Sequence, residues 1–88
     1  MNITYDSAKE QINLQKHCIS LAIADEIECN TAITWLNLRQ DYGEQRMAGI
    51  GYIGLRLYFV VFVDRADKRR IISLRKANLR EVNRYANT

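Results

Sequence analysis

The chain has 88 residues, 48% hydrophobic and 26% charged, with two cysteines, no proline and a formal net charge of +3. This length predicts one small domain over residues 1–88 that buries roughly 60–65% of its unfolded surface, which argues against a large enclosed substrate cavity. No signal peptide is read at the start and the longest apolar run is far short of the ~18 residues of a membrane span, so a cytoplasmic protein with no membrane partner is expected.

In chain order, Asn2 to Tyr5 reads as a short edge strand. Asp6 or Ser7 then caps a helix that continues to about His17, with Glu10 three residues after Ser7 in the form of a capping box. Asn13, Lys16 and His17 fall at i, i+3 and i+4 and share a face of that helix. Ser20 is positioned to cap a second helix whose buried stripe is Ile19, Ile23 and Ile27, with Asp25, Glu26 and Glu28 on its solvated side. Cys18 and Cys29 read as reduced thiols, and their spacing with His17 fits no zinc pattern, so neither a disulfide nor a metal centre is expected.

Thr31 to Leu36 has strand composition, Asn37 to Gly43 reads as an exposed loop, and Arg46 to Ile53 makes the next strand. Gly49 and Gly51 lie on one face of it, open to a bulge, a close-packed helix or another backbone. Arg56 to Val63 contains seven apolar residues in a row, mostly β-branched or aromatic, which is the pattern of a central strand covered on both faces. Asp64 to Asp67 supplies turn chemistry and Lys68 to Leu74 returns as the second arm of an antiparallel hairpin. Asn78 and Glu81 then form a capping box for a helix from Leu79 to about Ala86, with Leu79, Val82 and Tyr85 or Ala86 expected toward the core. Arg80 and Arg84 share another face, within reach of Arg75 and Lys76 at the sheet edge. The order of elements predicts an α+β fold: a mainly antiparallel sheet, two N-terminal helices on one face and one C-terminal helix near an edge.

The charge is unevenly distributed. Residues 1–45 carry three basic and seven acidic side chains, net −4, and residues 46–88 carry ten basic and three acidic, net +7. A +7 half on so small a domain attracts polyanions, which makes nucleic acid the leading partner class.

Three segments also carry a family resemblance. Arg70-Ile-Ile-Ser-Leu-Arg-Lys-Ala-Asn-Leu-Arg-Glu-Val-Asn-Arg-Tyr85 resembles the C-terminal signature of the BrnT family, the ribonuclease toxins of a bacterial type II toxin-antitoxin system. Asn13-Leu-Gln-Lys16-His17 is similar to the family's Asn-x-x-Lys-His near the end of the first helix. Gly43-Glu44-Gln-Arg46 is similar to its Gly-Glu-x-Arg at the start of a strand. The pattern is departed from at Ser7, where the family commonly has proline, and at Cys18, where it commonly has glycine; both positions govern backbone geometry at the ends of the first helix. The resemblance implies a compact RelE-like toxin fold. It also implies an RNA substrate and a cognate BrnA-like antitoxin with a ribbon-helix-helix domain, through which alone operator DNA is bound so that the complex represses its own operon.

Chemically, these residues suit an RNA endonuclease that needs no metal or other cofactor. When a ribose 2′-hydroxyl attacks its own phosphate, the site must take one proton, give another and neutralise a pentavalent phosphorane. Glu44, Lys16 or His17 are candidates for base or acid. Arg46, Arg75, Arg80 and Arg84 are candidates to bind phosphate through planar forks, with Lys76 as a further RNA contact. Tyr85 or Trp35 are candidates to stack on a base. The competing readings are a non-catalytic nucleic-acid or protein-binding module that uses the same basic surface, and a structural protein in which Glu44 with Arg46 and Glu81 with Arg84 are ordinary surface ion pairs.

Overall fold

The computed structural model describes residues 2–37 and 45–88. Five strands form one sheet: β1 (Asn2–Thr4), β2 (Ile33–Asn37), β3 (Arg46–Ile53), β4 (Arg56–Arg65) and β5 (Lys68–Lys76), in the spatial order β1-β5-β4-β3-β2. Strands β2 to β5 pair antiparallel in sequence order, whereas β1 lies parallel to β5, Asn2 opposite Lys68 and Thr4 opposite Arg70. The apolar run of β4 is central as expected, flanked by β3 and β5.

Two helices accompany the sheet, α1 (Ser7–His17) and α2 (Leu79–Ala86). The expected pair of N-terminal helices on a mainly antiparallel, RelE-like sheet is therefore corrected to a mixed sheet with one helix near the N-terminus and one at the C-terminus. The segment read as a second helix is a 3-10 stretch, Leu21–Glu26, capped by Ser20, whose hydroxyl accepts from the Ala22 N–H at 3.1 Å. Its buried residues are Leu21 and Ala24, an i, i+3 pair, and that spacing stacks on one side in a three-residue turn. Ile23 and Ile27, the expected helical stripe, are only half-buried.

Asp6, not Ser7, caps α1, accepting from the Ala8 N–H at 3.1 Å. Glu10 is thereby released from capping: its carboxylate accepts from the Ser20 hydroxyl and the Leu21 N–H, both at 2.7 Å, and ties α1 to the 3-10 stretch. The last turn of α1 closes through Cys18, left-handed at φ 57, ψ 31, whose N–H donates to the Leu14 carbonyl. This is a conformation that costs glycine nothing and a side-chain-bearing residue about 1 kcal/mol.

One buried polar side chain places α1 on the sheet. β1 pairs with β5 only as far as Arg70, so the backbone of Leu74 has no strand on that side. Asn13, 3% exposed, takes the place of one: its Nδ2 donates to the Leu74 carbonyl at 2.8 Å and its Oδ1 accepts from the Leu74 N–H at 3.1 Å. The same Nδ2 donates to the Ile19 carbonyl, also at 2.8 Å. A carboxamide has the donor and acceptor of a peptide group, and both are used here as a neighbouring strand would use them.

The main core, Leu21, Ala24, Val60, Phe62, Ile71 and Leu74, lies between the 3-10 stretch and one face of the sheet. Gly51 permits that close approach, because a Cβ there would stand 2.7 Å from Ile27 Cγ2 and 3.0 Å from Ala32 Cβ. The other face, on which Trp35, Ala48, Val61 and Ser73 stand in one row across the strands, is left for α2.

Candidate functional site

The groove between α2 and this second face, about 560 Å³ in volume, gathers the candidate chemistry. Its floor is Trp35, Ala48, Phe59 and Val61, and its α2 wall is Arg80, Glu81 and Arg84. Strand alternation explains the floor. Trp35 lies opposite Ala48 and Ala48 opposite Val61, while Phe59 is the next residue of β4 on the same side. The small Ala48 between Trp35 and Val61 leaves the hollow in which the two aromatic rings stand, 6.1 Å apart and tilted by 49°.

Arg75 is cross-strand from Phe59 and holds its guanidinium 4.5 Å above that ring. It also donates to both oxygens of Glu81, Nη1 to Oε1 at 2.8 Å and Nη2 to Oε2 at 2.7 Å, a bidentate fork. The capping box brings the carboxylate there: Asn78 Oδ1 accepts from the Glu81 N–H and Glu81 Oε1 accepts from the Asn78 N–H, both at 2.9 Å. Glu81 thus pairs with Arg75 and not with Arg84, and its side chain is 13% exposed. Burial pushes the Glu81 carboxyl up, but the hydrogen bonds from Arg75 and Asn78 and the charges of Arg75 and Arg80 outweigh it, leaving the pKa below its ordinary value. A carboxylate so held is a weak base and a good anchor, so Glu81 fixes Arg75 in place.

Arg84 lies over the Trp35 ring with its guanidinium carbon 3.6 Å from the centroid. Arg80, exposed one turn earlier on the same wall, makes no hydrogen bond or ion pair with the described residues. The groove therefore presents one locked guanidinium and two that can turn to a ligand. Its aromatic floor suits a base and its cations suit phosphate. Among the described residues the wall and floor contain no lysine or histidine and one carboxylate, which is committed, so this part of the groove is better built to hold a phosphate than to move a proton.

The other predicted residues are distributed around this centre. Arg46 is half-buried at the start of β3, opposite Asn37 and on the same side of the strand as Ala48. Lys76 is exposed and lies opposite Tyr58, on the other face from Arg75. Lys16, exposed, and His17, half-buried, end α1, which packs on β5; neither lines the groove. The Tyr85 hydroxyl donates to the Thr31 carbonyl at 3.0 Å and its ring meets Tyr52 edge-on at 5.6 Å, which fastens α2 to the start of β2. Glu44 lies outside the described residues, as does most of the loop expected from Asn37 to Gly43. Sequence reasoning missed Phe59 and Glu81 as parts of the site. The capping box was the available signal for Glu81, since it sends the carboxylate back toward the strand end that carries Arg75.

A second cleft, of about 420 Å³ on the opposite face, is apolar apart from Thr34, Cys29 and Arg69, and Arg69 is bound to Asp64 at 2.7 and 3.1 Å. Among the described residues no three His, Cys, Asp or Glu side chains come together to hold a metal ion, and no helix is long and apolar enough to cross a membrane.

A basic groove with aromatic stacking surfaces, carried on a small mixed sheet, has the chemistry that a polynucleotide would engage. The comparison with known families narrows this: residues 5–81 match the family described as "Ribonuclease toxin, BrnT, of type II toxin-antitoxin system", and the chain belongs to that family. Ribonuclease action on RNA and an antitoxin partner come with that membership. No curated protein gives a significant match to the chain.

Proposed function

We propose that the chain is a metal-independent RNA endonuclease that acts in the cytoplasm to arrest translation and growth. In this reading a BrnA-like ribbon-helix-helix antitoxin neutralises it, and the complex represses its own operon through the antitoxin's hold on operator DNA. The observation that carries the reading is the pair of guanidiniums outside the Glu81 fork, Arg80 and the Trp35-stacked Arg84, beside the locked Arg75.

A base unstacked from single-stranded RNA takes the face of Trp35 that Arg84 now covers, and the displaced guanidinium turns to the phosphate next to it. Arg80 joins Arg84 on the equatorial oxygens as the 2′-hydroxyl attacks, and Arg75, held by Glu81, provides a fixed positive wall. Arg46 adds charge at the far end of the floor. Because the described lining of the groove includes no free proton carrier, the base and acid are drawn from Glu44, Lys16 and His17, with Lys16 and Lys76 also steering the RNA backbone.

The test is cleavage of single-stranded RNA in EDTA by the wild type and by Arg80→Ala/Arg84→Ala. The wild type is expected to cleave and leave 2′,3′-cyclic or 3′-phosphate ends. The double variant is expected to lose about 10³-fold or more in rate, since one transition-state donor is worth 10²–10³, with a thermal midpoint close to the wild type's. Complete inhibition by the chelator, 3′-hydroxyl ends, or a loss of activity that merely follows unfolding would each overturn the mechanism. RNA binding without cleavage would leave the non-catalytic module.

A further inference from the structure

α2 is turned the wrong way round for a helix that only completes a core. Leu79 is 75% exposed and Val82 37% exposed, whereas the Glu81 side chain, pointing to the sheet, is 13% exposed. Leu79, Val82 and the exposed Ala86 fall at i, i+3 and i+7 and make one outward stripe. This orientation is fixed. The Arg75–Glu81 fork and the Asn78 cap hold the first turn, and the Tyr85 hydroxyl on Thr31 holds the last. Rolling the helix to bury Leu79 would break all of these contacts.

We propose that this stripe is the docking surface for an acidic amphipathic segment of the antitoxin, which from there reaches across Arg80 and closes the groove. The proposal rests on the family's antitoxin partner and on the reading of the groove as the RNA site. Charge selects the occupant. Arg80 and Arg84 flank the stripe on the groove side, and between residues 68 and 88 the one acidic side chain, Glu81, is already consumed by Arg75. The C-terminal segment that carries Leu79 thus brings positive charge to this surface and no free carboxylate of its own. A second copy of the chain would bring the same cations to the contact. An acidic amphipathic segment matches both features at once, its apolar side chains on Leu79 and Val82 and a carboxylate about one turn away on Arg80. Inhibition then follows by occlusion, because Arg80 cannot hold a carboxylate and a phosphate together.

The experiment uses the full chain with the charge-neutral double change Leu79→Ser/Val82→Ser, and separately with Leu79→Ser alone, at the more exposed site. Three quantities are read: affinity for the purified cognate antitoxin at low and high salt, the rate of RNA cleavage, and the mass in solution. The double variant is expected to bind antitoxin about 100-fold or more weakly and Leu79→Ser about 10-fold, as for residues near the centre of an interface. RNA cleavage should stay within about twofold, so that cells expressing the double variant are no longer rescued by the antitoxin. Antitoxin affinity within about twofold of wild type in Leu79→Ser and the double variant would overturn the proposal. So would a loss of self-association with unchanged antitoxin binding, which would make the stripe a contact between copies. If the double variant fails to fold, Leu79→Ser decides. The antitoxin titration reads independently of cleavage, so a protein that binds antitoxin through the stripe but cuts no RNA would refute the catalytic reading alone.

Discussion

Replacing Asn13 tests whether one carboxamide is what holds α1 to the sheet. Asn13→Ala removes three hydrogen bonds and leaves the Leu74 N–H and carbonyl, both buried, without partners, together with the part-buried Ile19 carbonyl. An unsatisfied buried polar group costs about 1–3 kcal/mol, so the loss amounts to about 3–5 kcal/mol, a large share of the 5–15 kcal/mol typical of a domain. Urea unfolding followed by Trp35 fluorescence measures it. With a slope of about 1 kcal/mol/M for a small chain, the midpoint should fall by about 3–5 M. Asn13→Asp sharpens the test, because the new oxygen faces the Leu74 and Ile19 carbonyls and must carry a proton to be tolerated. Its folded pKa is then raised above about 3.9, so the variant's stability is fully present below that value and is lost as pH rises through the folded pKa. A midpoint for Asn13→Ala within about 1 M of wild type, or an Asn13→Asp variant indifferent to pH between 3 and 8, would refute the argument.

Cys18→Gly should raise stability by about 1 kcal/mol in the same unfolding assay, because the left-handed C-cap is a position glycine adopts freely. Glu81 has its pKa lowered, so its contribution is present above the ordinary value of 4.5 and is lost as pH falls through the folded value; thermal midpoints should show a steeper acid loss in the wild type than in Glu81→Gln. Lys16→Ala is expected to weaken RNA binding and flatten its salt dependence by roughly one charge. His17→Ala is expected to cut the cleavage rate about 10²-fold with binding little changed, and a His17→Asn variant that cleaves normally but melts earlier would reduce His17 to a helix cap.

What the sequence disclosed was mostly local. The β4–β5 hairpin, the strand Arg46–Ile53, the helix Leu79–Ala86 and its capping box follow from period-2 apolar runs and from turn and cap residues that act within a few positions. The parallel pairing of β1 with β5 joins residues more than sixty positions apart, and nothing in Asn2–Thr4 specifies the direction of its partner. The 3-10 stretch was misread for a different reason: Ile19, Ile23 and Ile27 mimic a helical stripe, while burial chose Leu21 and Ala24. For the site, Arg75, Arg80, Arg84 and Trp35 were all legible as chemistry, and the structure brings these four together. Phe59 was hidden in an apolar run that reads as pure core, and Tyr85, a stacking candidate from its ring, also anchors α2 through its hydroxyl, which no local sequence signal announces.

The division of labour among the arginines follows from how each is held. Arg75 sits on a strand with both ends of its fork on Glu81, so its position is set before any ligand arrives. Arg84 rests on Trp35, an attraction worth about 0.5–1 kcal/mol at an exposed site, which a stacking base replaces at little net cost. Among the described residues Arg80 has no hydrogen-bonding or ion-pair partner. A ligand that stacks on Trp35 therefore gains a base platform and releases a guanidinium in the same movement, whereas a bare phosphate must compete with the ring for Arg84. This favours polynucleotides over free phosphate or nucleotide without a built pocket for either. It also explains why a carboxylate that engages Arg80 is enough to spoil the site: it removes the one cation that needs no displacement.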